Sequence, residues 1–146
     1  MEAQASLRLN RYALHKLAKR YAEDADILLQ NGRWSSAYYL AGYAVECALK
    51  ACIAKQFREH DFPDKQIVNR SHTHDLRELV RLAELESALE ERGRQQDAFR
   101  DNWDNVVVKW KETSRYEQPI QATAEELVRA VRDPKEGVLP WLEQQW

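Results

Sequence analysis

Glu46 and Lys50 stand one helical turn apart inside a run that is otherwise almost wholly apolar. The Glu-before-Lys order at i,i+4 favours an ion pair. Charges on an apolar surface must be satisfied by each other or by something bound, so a salt bridge and a polar ligand cleft are both open to this pair. A second constellation, Ser71-His72-Thr73-His74-Asp75-Leu76, sets two histidines just before a helical pattern. Zinc needs further ligands, and neither CxxC nor HExxH spacing occurs, so no metal is expected. Thr73 or Asp75 is expected to cap the following helix, with His74 packed on the apolar run and donating one hydrogen bond. The third is Trp110-Lys111-Glu112-Thr113-Ser114-Arg115-Tyr116. Arg115 can grip a phosphate or carboxylate with two N–H groups, and Tyr116 can stack on a base or pack on the protein.

Other chemistries are excluded by pattern. The chain has no GxxxxGK[ST], GxGxxG or GxSxG, which removes the usual phosphate loops and the serine nucleophile elbow, and no cofactor is expected. Ser35 and Ser36 read as helix caps. Glu84, Glu86, Glu90 and Glu91 read as a solvated face rather than as paired acid and base.

These residues need elements to hold them. The chain has 146 residues, 44% hydrophobic and 32% charged, with formal charge −2. That length suits one domain, expected over 1–146, that buries about two-thirds of its surface without disulfides. Near-neutral charge excludes an overall basic nucleic-acid binder but not a local basic patch. The first 73 residues are net basic and the last 73 net acidic, and Arg8, Arg11, Lys16, Lys19 and Arg20 cluster near the start. Cys47 and Cys52 lie in the apolar run and suit a reducing compartment; with no signal-like opening, a cytoplasmic location is expected.

Four Gly, four Pro and abundant Ala, Leu, Glu and Arg argue for an all-α, antiparallel bundle of about five helices. Expected helices cover 6–31 (stopped by Asn31-Gly32), 34–59, 74–90 and 94–112. A fifth starts at Thr123 in a capping box with Glu126 and stops at Asp133-Pro134. Val106-Val107-Val108 is read as helix because Trp103, Val106, Val107 and Trp110 recur at helical spacing. The core is placed at 8–132, and the extension 133–146 is expected to add a short turn packed back through Leu139, Trp141 and Leu142.

From Ala37 to Ala54 the second helix is apolar nearly all round. Such a helix is buried or membrane-spanning, and Glu46 and Lys50 at its centre argue against the membrane. Five helices are too few to surround it, so a second copy of the chain is expected to cover part of it.

The run Gly32-Arg33-Trp34-Ser35-Ser36-Ala37 through Glu46-Cys47-Ala48-Leu49-Lys50-Ala51 resembles the second helix of HEPN domains. His74-Asp75-Leu76 with Leu79, and later Ser114-Arg115-Tyr116, are similar to that family in type, order and spacing. The resemblance covers about residues 8–132. It implies a helical bundle, commonly dimeric, of the kind found in toxin–antitoxin pairs, antiviral defence and RNA processing. Nuclease members carry an Arg and, four to six residues later, a His, paired across the dimer, with residues here matched by Glu46 and Lys50 in support. This sequence departs there: no His follows position 74, and Arg8 with His15 meets the spacing only in the first helix.

The leading expectation is a non-catalytic dimeric module binding a partner protein or a nucleotide or RNA through Glu46, Lys50, Arg115 and Tyr116. The resemblance adds a nucleotidyltransferase-type antitoxin as a partner. The alternatives are a metal-independent ribonuclease, in which Arg115 holds the phosphate and His74 or His15 moves the proton, and a purely structural dimer.

Overall fold

The structure is a computed structural model that describes residues 10–57, 62 and 64–146. Arg8, the expected helix start at 6–9 and the end of the second helix at 58–59 lie outside the described residues, as does Pro63. Among the described residues all regular structure is helical. The order is α1 (Arg11–Gln30), α2 (Trp34–Ala54), α3 (Lys65–Arg70), α4 (Leu76–Leu82), α5 (Glu86–Gln95), α6 (Asp97–Asp101), α7 (Gln121–Arg132) and α8 (Val138–Glu143).

The α1–α2 hairpin is written in local chemistry. Asn10 caps α1 by accepting from the Ala13 N–H. At the far end Gly32 takes φ +77°, and the Arg33 N–H reaches back to the Leu28 carbonyl at 2.9 Å. This is the left-handed glycine stop that Asn31-Gly32 signals. The short link folds α2 back along α1, and Leu14, Ala18, Ala22 and Ala25 are buried between them.

Helix α2 is the central rod, touched by α1, α4, α7, α8 and the turn at Glu112–Tyr116. From Ala41 to Ile53 every residue except Tyr43 and Lys50 is buried. The premise that α2 needs a second copy for cover is therefore corrected: its own chain wraps it. The physical reason is the rod's thinness. Ala37, Ala41, Gly42, Ala44, Ala48 and Ala51 let neighbours approach closely, so a small chain suffices. No helix among the described residues is long and apolar enough to cross a membrane.

Downstream, three expected elements change shape. The stretch 74–90 is two helices, broken where Glu84 adopts φ 59° and the Leu85 N–H bonds the Val80 carbonyl at 3.0 Å. A glutamate in a left-handed position leaves no sequence signal of a stop. The segment read as helix 94–112 is α5's end, α6, a π-helical turn (Asn102–Val106) and a 3-10 turn (Val107–Lys109). Trp103, Val107 and Trp110 are all buried along this irregular stretch. The Thr123–Glu126 capping box does not form, because α7 already starts at Gln121 and Ile120 supplies no side-chain cap. Helix α3 falls where a loop was expected. The stop at Asp133-Pro134 and the inward-packed Leu139, Trp141 and Leu142 of α8 follow the sequence reading.

Cys47 and Cys52 are free and buried, 4% exposed each. Burial pushes their thiols up to about 12 and about 11. We expect neither to react with iodoacetamide at pH 8 until denaturant opens the core, because the thiolate is the nucleophile. Labelling in native buffer at the rate seen for unfolded chain would contradict this burial. The sign of the linked pH effect follows. Unfolded thiols release protons from about pH 9 while folded ones hold them, so stability falls as pH rises through that window.

Candidate functional site

Tyr39, Tyr43, Glu46 and Lys50 form one stripe along α2, at i, i+4, i+7 and i+11. Glu46 is 1% exposed. One carboxylate oxygen lies 3.3 Å from Lys50 Nζ, and the other accepts from His74 Nδ1 at 2.7 Å. The i,i+4 salt bridge thus forms, and His74 adds the second partner that the buried charge requires. His74 is positioned as its sequence suggests. Thr73 Oγ1 accepts from the Asp75 N–H, and Asp75 caps α4 by accepting from the N–H groups of Arg77 and Glu78. That cap turns the His74 ring toward α2. The bond that the buried carboxylate accepts from His74 therefore ties the second helix to the start of α4, while Lys50 completes its pairing within α2.

At the start of α2 a second arrangement holds Arg115. Its segment is a 3-10 turn, Glu112–Tyr116. Ser35 does not act as a cap as expected: Arg33 occupies the cap position, and the Ser35 hydroxyl donates to the Glu117 carbonyl at 2.6 Å. That bond fastens the turn to the helix. Arg115 pairs with Glu112 at 3.1 Å and lies over the Tyr116 ring at 4.8 Å. It remains about half exposed and lines a hollow of about 400 Å³ with Leu28, Ser35, Ser36, Tyr39 and Leu40. Burial holds the Tyr39 phenol above its ordinary range, and Glu112 and Glu46 add to this while Arg115 pulls the other way. Tyr43 is pushed up to about 12, chiefly by burial. Both phenols are therefore neutral hydrogen-bonding groups at pH 7, not bases.

Trp110 locks the turn in place. Its ring is 2% exposed, packs flat against the Gly42 backbone and sits 6.0 Å from the Tyr39 ring. Sequence reading missed the parts played by Tyr39, Tyr43 and Glu112. The i,i+3 spacing of Glu112 to Arg115 was the available signal for one of them. Ser114, between Glu112 and Arg115, is 2% exposed and its hydroxyl has no partner among the described residues.

The structure separates the residues a nuclease would combine. Arg115 lies at the level of Tyr39 and His74 at the level of Glu46, about 10 Å further along α2. No histidine lines the Arg115 hollow. His15 packs on Trp146 with ring centroids 4.1 Å apart, about 20 Å along α1 from Leu28 in the Arg115 hollow. Within one chain the pairing of Arg115 with His15 is thereby corrected: they are held at opposite ends of a rigid helix. Tyr116 is 75% exposed and available for stacking. No group of three His, Cys, Asp or Glu among the described residues could hold a metal.

A family model described as HEPN domain matches residues 12–144. No curated protein and no solved structure matches the chain.

Proposed function

The chain belongs to the HEPN domain family, and from that premise we propose that it is a non-catalytic binding module for RNA or a nucleotide within a cytoplasmic toxin–antitoxin or defence system. The observation that carries this reading is the half-exposed Arg115 held against Glu112 and Tyr116, with no histidine among the described residues lining its hollow. A guanidinium next to an exposed phenol suits a phosphate followed by a base. Cleavage would need a free base within hydrogen-bond reach; the Glu112 carboxylate there is engaged by Arg115, and burial holds the Tyr39 phenol above its ordinary range.

Homodimerisation belongs to the same proposal, with a different surface from the one first expected. Ile27, Tyr116 and Ile120 are exposed at 56%, 75% and 69%, around the end of α1 and the segment entering α7. A second copy is the occupant that family membership favours, and a nucleotidyltransferase-type antitoxin is a further partner. Light scattering at micromolar concentration is expected to give twice the 17.2 kDa chain mass; a monomer would remove the dimer.

The ribonuclease reading is favoured by one observation, the carboxylate-held ring of His74. It requires a second copy to bring His74 to an Arg115. Binding distinguishes the roles of the residues: Arg115→Ala is expected to weaken binding of a short single-stranded RNA about tenfold or more, as loss of a charged contact does. Equal affinity of the variant and the wild type would overturn the assignment of Arg115.

A further inference from the structure

His74 has a second nitrogen. Nδ1 is taken by Glu46, while Nε2 has no protein partner among the described residues. The ring is about half exposed and borders a hollow of about 660 Å³, distinct from the one at Arg115. Arg77, Lys109 and Lys111 line the same hollow. All three are exposed, and none pairs with a carboxylate among the described residues. The acids around them are partly committed. Asp75 gives one of its two oxygens to the α4 N–H groups and Glu112 pairs with Arg115, leaving the other Asp75 oxygen and Asp104. Three cations without a carboxylate partner among the described residues therefore border one imidazole.

We propose that this hollow is a phosphate-binding site formed by His74 Nε2, Arg77, Lys109 and Lys111. With an anion bound, Nδ1 stays on Glu46 and Nε2–H donates to a phosphate oxygen. The buried carboxylate fixes the ring, and the lysines supply strong, mobile point charges. Leu76, Val108 and Trp110 form the hollow's apolar side, against which the non-phosphate part of a ligand would lie. The ligand class is a phosphate mono- or diester. The proposal rests on reading the chain as a binder of phosphate-bearing ligands, and it adds a second contact region some way along α2 from Arg115.

The test is histidine NMR of the full chain titrated with inorganic phosphate at constant ionic strength, with chloride as control. The His74 resonances are expected to move saturably while those of His15 stay still, and Lys109→Ala/Lys111→Ala is expected to weaken the response at least about fivefold. Both lysines are exposed, so that variant keeps the fold. A His74 signal that does not move, that moves equally in chloride, or that moves equally in the double variant overturns the site. Adenosine monophosphate and a short RNA, run alongside, distinguish a mononucleotide from a phosphodiester chain as the source of the phosphate. A saturable phosphate response without RNA or nucleotide binding defeats the functional reading and keeps the site. RNA binding that depends on Arg115 while His74 ignores phosphate defeats the site alone.

Discussion

Gly42→Ala is expected to cost about 3 kcal/mol or more of folding stability, at the upper end of overpacking penalties. Helix propensity alone favours alanine by about 1 kcal/mol at such a position, so the sign of the effect is diagnostic. A methyl group at Gly42 would sit against the Trp110 indole at well under van der Waals distance, and Trp110 is 2% exposed. The ring would have to move, and with it the connection that carries Glu112 and Arg115. Chemical denaturation gives the stability. Because the clash is pairwise, Gly42→Ala combined with Trp110→Ala is expected to be less destabilised than the sum of the singles. Gly93→Ala is the control. There the added methyl meets only the Arg100 side chain at 3.3 Å, and little change is expected. A stabilised Gly42→Ala protein would mean that the indole does not cover α2.

Removing both partners of Glu46, by Lys50→Ala with His74→Ala, is expected to cost about 3–5 kcal/mol, because it strands a carboxylate in the core with no cation or donor. Each single change is expected to cost less, since one partner remains. Adding Glu46→Gln to the double variant removes the charge and is expected to recover most of the loss. The comparison separates a charge penalty from lost packing, which glutamine would not restore. Denaturant midpoints of the wild type and the four variants decide it. If the triple variant is no more stable than the double, packing rather than charge holds this junction.

The parts of the fold legible in the sequence are those fixed by local chemistry or strong periodicity. Asn31-Gly32 marks a helix stop because a left-handed residue is needed there, and the Leu14–Ala18–Ala25 stripe marks the buried side of α1. A cap before Leu76 is legible as Thr73 or Asp75, and the fold assigns it to Asp75. The break at Glu84 is not legible, since the residue in the left-handed conformation is neither glycine nor asparagine. The π turn before Val107 is also hidden. Trp103, Val107 and Trp110 keep an i, i+4, i+7 spacing that a regular helix would also bury, so nothing in the pattern marks the turn.

The candidate site shows the same division. Glu46 and Lys50 are legible as a pair needing satisfaction, and His74 as a ring that donates one bond; only the fold shows the acceptor to be Glu46. The mistaken inference about α2 came from counting helices instead of judging girth. A rod rich in alanine with one glycine is narrow enough for α1, α4, α7, α8 and Trp110 to enclose. Its apolar surface therefore says nothing about a second copy, and the case for a dimer moves to Ile27, Tyr116 and Ile120.

The central claim, binding without cleavage, is met most directly by incubating the purified protein with end-labelled single-stranded RNA and no added metal, then resolving complex and products. Retarded RNA recovered at full length, with retardation lost in Arg115→Ala, is the expected result. Shortened RNA from the wild type that disappears in His74→Ala would contradict it and make the chain a nuclease.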